Sequence, residues 1–128
     1  MSTKNKIVLV PFPFDDLTAD KLRPAACLTN PIGVHHHVVL AFITSQIPED
    51  ITDTDIVLKT DRPDFPITGL HVASTIRLHR LLTVTASIIK RELGQLSTNM
   101  ELEVIILNYD TCFHSSNLTR RIMGRLGW

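Results

Sequence analysis

Prolines bracket the first two apolar runs of the chain, and this constrains the fold more than any other feature of the sequence. Pro11 and Pro13 close the run Ile7-Val8-Leu9-Val10, and Pro24 opens the run Ala25-Ala26-Cys27-Leu28. Branched aliphatic residues favour a pleated, half-buried surface, and a proline, lacking an amide proton, is confined to a strand's edge or end. The chain must therefore run as a strand, turn through a polar segment and come back. A third apolar run, Val38 to Thr44, follows closely. The pattern predicts strands over 6–12, 23–30 and 36–46, a loop over 13–22 and a turn around Pro31 to Gly33. Arg23, set against Pro24, then stands at the mouth of the second strand, where a guanidinium is well placed for an anion.

The second half begins with an acid-rich stretch. Residues 49–64 hold six acids against Lys59 and Arg62, and with Pro48, Pro63 and Pro66 the segment 47–68 reads as loop, short strand (Asp55 to Lys59), loop. Such a stretch repels polyanions and is expected at a rim or facing away. Over residues 70–82, "LHVASTIRLHRLL", a period-two alternation predicts a half-buried strand with Thr75, Arg77 and His79 on one face. Thr83 to Arg91 reads as a helical turn followed by a short strand. From Thr98 the pattern becomes helical: Thr98 with Glu101 three residues on is a capping box, and Met100, Val104 and Leu107, with Leu102, Ile105 and Ile106, make a broad apolar face for packing on the sheet or in a dimer contact.

Composition bounds the rest. A chain of 128 residues, 44% hydrophobic and 20% charged, fits one globular domain over 1–128, with a core over about 6–112 and a basic tail, 113–128, expected to be mobile. The N-terminal apolar stretch is short, proline-broken and without a small-residue cleavage site, and no run has the length of a transmembrane helix, so a cytoplasmic location is expected. Cys27 and Cys112 carry no motif and are expected as thiols. The net charge of zero argues against the broad basic surface of a duplex binder, yet residues 71–91 hold Arg77, Arg80, Lys90 and Arg91 with no acid, enough for a local positive groove. Of His35-His36-His37, only His35 and His37 can share a face, and no Cys or Asp completes a metal set at recognisable spacing; no metal and no cofactor is expected.

The blocks "VLVPFPF", "KLRP", "AFITSQ" and "GL" ahead of "STIRL" together resemble the MazF/PemK/Kid family of mRNA interferases, the toxins of toxin–antitoxin pairs, over about Ile7 to Asp110. Asn5-Lys6 stands where the family usually has Gly-Asp, and the tail after Asp110 matches nothing in it. The resemblance implies a mainly β fold, a small SH3-like β-barrel with a C-terminal helix. It also implies a homodimer that cleaves single-stranded mRNA without a metal, and a cognate antitoxin, DNA-binding in its front half, whose acidic segment occupies the groove.

The resemblance carries over onto particular residues. Arg23 and Thr44 match the family's functional pair: a planar guanidinium that can take two phosphate oxygens, and a hydroxyl that orients them. Taken alone, each is an ordinary surface cation or strand former. Arg77 matches an arginine assigned to catalysis in the Kid-like branch; His79 stands where that branch has an aspartate, and histidine as a residue type can carry a proton near neutrality. The branch's first-loop histidine has no counterpart in Asp15 to Leu22, which leaves the general base open. Phe14 is a candidate base-stacking residue, since stacking on an aromatic ring contributes about 1–3 kcal/mol per base. Phe12 and Phe42 read as core, and Lys21, Ser45, Gln46 and Thr75 as substrate contacts. The competing expectation is a catalytically weak or inactive module on the same barrel that binds RNA or a protein.

Overall fold

The computed structural model describes residues 2–11, 21–46 and 50–112, the last five of these by backbone alone. The elements are β1 (Lys6–Pro11), β2 (Leu22–Cys27), β3 (His37–Thr44), β4 (Asp55–Leu58), the 3-10 turn η1 (Phe65–Thr68), β5 (Ser74–Thr85), the 3-10 turn η2 (Ala86–Ile88), β6 (Arg91–Gln95) and α1 (Thr98–Cys112). All strand pairs are antiparallel, in the order β4-β5-β3-β2-β1-β6. The prolines act as their chemistry requires. Pro11 ends β1, and Pro24 sits near the start of β2, opposite Leu9.

The alternation of side chains sorts the sheet into two cores. One face gathers Ile7, Ala26, Ala41, Ile43, Ile56, Ile76 and Leu78 under Met100 and Val104 of α1. The other gathers Val8, Val10, Ala25, Cys27, Val38 and Leu40, with Ala86, Ile88 and Ile89 folding across them. Each fully buried aliphatic side chain contributes roughly 1.5–3 kcal/mol. The two cores therefore fix which face of each strand is which.

Strands β4 and β6 end the sheet and do not pair with each other. The curled sheet closes instead through η1, which meets β6 backbone to backbone at two glycines. A Cβ on Gly94 would lie 2.4 Å from the Ile67 carbonyl oxygen, and one on Gly69, whose φ is 72°, would lie 2.1 Å from that of Leu93. No side chain fits in either place.

Helix α1 starts where the sequence indicates, but its cap is one residue earlier than the Thr98–Glu101 box. Ser97 Oγ accepts the Met100 amide at 3.1 Å, and Ser97 carbonyl accepts that of Glu101. The shift follows from the loop before it: Ser97 also donates to Asp64, so a tertiary partner selects the capping residue. Met100 and Val104 are buried and Leu107 packs on the core, whereas Leu102 and Ile105 are about half exposed. Residues 83–91 also differ from expectation. Strand β5 runs on to Thr85, and the helical turn is reduced to η2 before β6 begins.

Candidate active site

The register of the middle strands lays the sequence-predicted residues in rows across one face. Ala25 of β2, Phe42 of β3, Arg77 of β5 and Asp55 of β4 form one row; Thr44, Thr75 and Val57 form the next. The β2–β3 pairing stops at Ala25. Its register, continued two residues, brings Arg23 opposite Thr44. Neighbouring strands lie about 4.8 Å apart, so Arg23 and the Thr75–Arg77 segment are about two strand spacings from each other. Strands distant in sequence thus bring Arg23, Thr44 and Arg77 onto one surface.

Strand β5 breaks its pairing with β3 after Arg77: Phe42 opposes Arg77 while its neighbour Ala41 opposes Leu81, which leaves Leu78, His79 and Arg80 extra on β5. A bulge of this kind bends the strand and re-aims side chains. Leu78 stays in the core and donates its amide to the Thr54 carbonyl at 3.0 Å. Arg80 turns back over the Phe42 ring, 5.2 Å from its centre, in a cation–π contact. His79 emerges with 37% of its side chain exposed.

A tight polar cluster surrounds this bulge. Arg77 Nε donates to Asp55 Oδ1 at 3.1 Å, and Asp55 Oδ2 accepts the Thr52 amide at 3.0 Å. His79 Nδ1 shares a 2.9 Å hydrogen bond with Thr54 Oγ1 and lies 3.8 Å from Asp55 Oδ1. Thr54 and Thr52 hydroxyls are linked at 3.0 Å. The Asp55 side chain is fully buried. The acidic segment supplies the end strand β4, and one of its acids, Asp55, stands within the cation-bearing face. The sequence shows Asp55 at the head of a short strand, but its partner is 22 residues away, and nothing local signals the pairing.

The remaining candidates separate clearly. Thr44 is half-buried at the end of β3, and its Oγ accepts the Gln46 amide at 3.2 Å, which leaves its proton to be donated outward. Ser45 and Gln46 are exposed just beyond it, and Lys21 is exposed just before β2. Arg23 is half-buried. Thr75 shares the row of Thr44 but is 0% exposed, so it does not reach substrate, and its hydroxyl has no partner among the described residues. Phe42 is partly buried, and Phe65 belongs to the core. Phe14, Phe12 and the tail 113–128 lie outside the described residues, as does the Cys112 side chain. Among the described residues no three His, Cys, Asp or Glu side chains gather as a metal set; the His35 and His37 rings are 5.7 Å apart. No described helix is long and apolar enough to cross a membrane.

A curled antiparallel sheet with one C-terminal helix and a cation- and hydroxyl-bearing face describes a small β-barrel protein of a recognisable kind. A family model for the PemK-like, MazF-like toxin of type II toxin-antitoxin systems matches residues 3–105, and the chain belongs to that family. No curated protein matches it by sequence. Among solved structures it is similar to Mycobacterium tuberculosis toxin MazF-mt6, with 19% identity over 85% of this chain and 96% of that one, at a TM-score of 0.63. It is also similar to an endoribonuclease in complex with its cognate antitoxin from a mycobacterial species, with 12% identity over 90% and 97% of the two chains and a TM-score of 0.62. A further mycobacterial endoribonuclease aligns at 11% identity over 80% and 82%, with a TM-score of 0.54. At these identities the likeness is one of fold.

Proposed function

We propose that this chain is the toxin of a toxin–antitoxin pair, a cytoplasmic endoribonuclease of one domain that cleaves single-stranded mRNA selectively by sequence and without a metal. The observation that carries this reading is the assembly of Arg77, His79 and Thr44 on one face of β3 and β5, with Arg23 brought to the same face by the β2 register. The reaction needs a base for the 2′-hydroxyl, donors for the phosphorane and an acid for the 5′-oxygen. Arg23 and Arg77 supply positive charge to the phosphate, and Thr44 donates its hydroxyl proton. Each preorganised donor of this kind contributes on the order of 3 kcal/mol to the transition state. His79, held at Nδ1 by Thr54, offers Nε2 for proton transfer. Attack by the 2′-oxygen breaks the bond to the 5′-oxygen and leaves a 2′,3′-cyclic phosphate.

The chain acts as a homodimer, and a cognate antitoxin is its protein partner; the neighbouring structure solved with an antitoxin supports that partnership. An acidic antitoxin segment suits the same cations. The alternative, a module that binds RNA without cutting it, draws on the absence of histidine from Asp15 to Leu22.

The test is incubation of the purified protein with mixed-sequence single-stranded RNA in EDTA, followed by mapping of fragment ends. Cyclic-phosphate ends that fall at least about a hundredfold in Arg23→Ala and Thr44→Ala are expected. Full activity in both variants sinks the site assignment, and intact RNA that still shifts in a gel selects the binding module.

A further inference from the structure

We infer that Asp55 is a positioning residue of this site: the buried carboxylate at the head of β4 sets the directions in which Arg77 and His79 present themselves to substrate. The inference rests on the nuclease reading above and extends it to a residue on a different strand.

Asp55 is too buried to meet RNA itself, with a side-chain exposure of 0%. A carboxylate withdrawn from water is strongly unfavourable unless paired and hydrogen-bonded, and here it is both. Its Oδ2 takes the Thr52 amide, which fixes the carboxylate within its own turn, and its Oδ1 takes Arg77 Nε at 3.1 Å. The same turn presents Thr54 to His79 Nδ1 at 2.9 Å, and the Thr54 carbonyl holds the Leu78 amide of the bulge at 3.0 Å. Among the described residues neither the Arg77 Nη groups nor His79 Nε2 has a partner. Each functional side chain is therefore gripped at its inner nitrogen and left open at its outer one.

That pattern distinguishes positioning from simple neutralisation. A two-pronged contact, of the kind Arg62 makes with Asp64, would occupy terminal amino hydrogens that a phosphate could otherwise take. Contact through Nε alone fixes the plane of the guanidinium while both terminal amino groups stay available. Because two side chains depend on one turn, a change at Asp55 should act on both together.

Asp55→Asn keeps the shape and an acceptor while removing the charge, so it is the variant to use. Expected are a kcat on single-stranded RNA lowered at least tenfold with KM within threefold, and an Arg77 Nε proton that exchanges with solvent at least tenfold faster in NMR spectra of the free protein. Added to an Arg77→Lys/His79→Ala double variant, Asp55→Asn should lower kcat no further. A kcat within twofold of the parent overturns the inference, as does an unchanged Nε exchange rate or a loss fully additive with the double variant. If the parent itself cleaves no RNA, the nuclease reading fails, and the exchange measurement still decides whether Asp55 orients Arg77.

Discussion

Ser97 and Asp64 share a hydrogen bond of 2.5 Å in which the hydroxyl donates to Oδ2, while the same hydroxyl oxygen accepts the Met100 amide at the start of α1. Arg62 donates to both Asp64 oxygens through Nε and Nη2 and reaches Glu103 of α1 through Nη2, so one small network ties the loop before η1 to the helix. The Arg62 guanidinium, then the Ser97 hydroxyl, hold the Asp64 carboxyl well below its ordinary 3.8, at about 2, and the same carboxylate raises Arg62. The folded state thus binds its proton more weakly than the unfolded chain. The stabilisation, on the order of 2 kcal/mol, is complete above about pH 4 and is lost as the pH falls through about 2. Asp64→Asn should remove that amount at neutral pH and flatten the stability profile over this acid window. Urea titrations at several pH values check it.

Gly94 and Gly69 should tolerate no substitution. A Cβ at Gly94 would meet the Ile67 and Thr68 backbone at 2.4–2.5 Å, and backbone cannot swing aside as a side-chain end can. Gly94→Ala is expected to cost at least about 2 kcal/mol by forcing η1 off β6, a fall in Tm on the order of 10 °C. Gly33→Ala is the control: its φ of 71° is unfavourable for alanine, but its Cβ meets nothing within 4 Å, so a loss of about 1 kcal/mol is expected. Thermal melts of the three proteins compare them.

Truncating Arg77 should damage folding as well as activity. Arg77→Ala leaves Asp55 buried without its charge partner, for which about 3 kcal/mol is expected. Arg77→Lys keeps the charge and should cost less than half as much, while losing the guanidinium's planar fork. Denaturant unfolding of both variants measures the difference.

For His79, the proton-transfer role predicts a limb in the pH–rate profile that disappears in His79→Ala, with kcat reduced by roughly 10²–10⁴. Thr54→Val removes the Nδ1 contact and should lower kcat by less, while leaving the limb in place. A profile identical in His79→Ala removes the histidine from the reaction.

The strand plan was legible because proline and period-two alternation act locally. Pro11 and Pro24 mark the end of β1 and the start of β2 to within two residues, although β2 stops three residues short of its expected end; the apolar pattern from Thr98 marks the helix, and the resemblance supplies the barrel. What escaped the sequence depends on partners far along the chain. Thr75 fits the alternation that puts it with Arg77, yet it is 0% exposed, and nothing local in the sequence signals that burial. Ser97 displaced Thr98 as the cap because Asp64, 33 residues earlier, engages its hydroxyl. Asp55 heads a short strand in an acid-rich stretch, and its pairing with Arg77, on another strand 22 residues away, has no local sign.

The three-residue break in β5 separates chemistry from architecture. His79 stands outside the β3 ladder, between an Arg77 that pairs with Phe42 and a Leu81 that pairs with Ala41, while Leu78 alone anchors the interruption in the core. A different side chain at 79 would therefore disturb no β3 pairing, although it would break the 2.9 Å contact with Thr54. The side chain at such a position can change while the strand pairing on either side of it is kept.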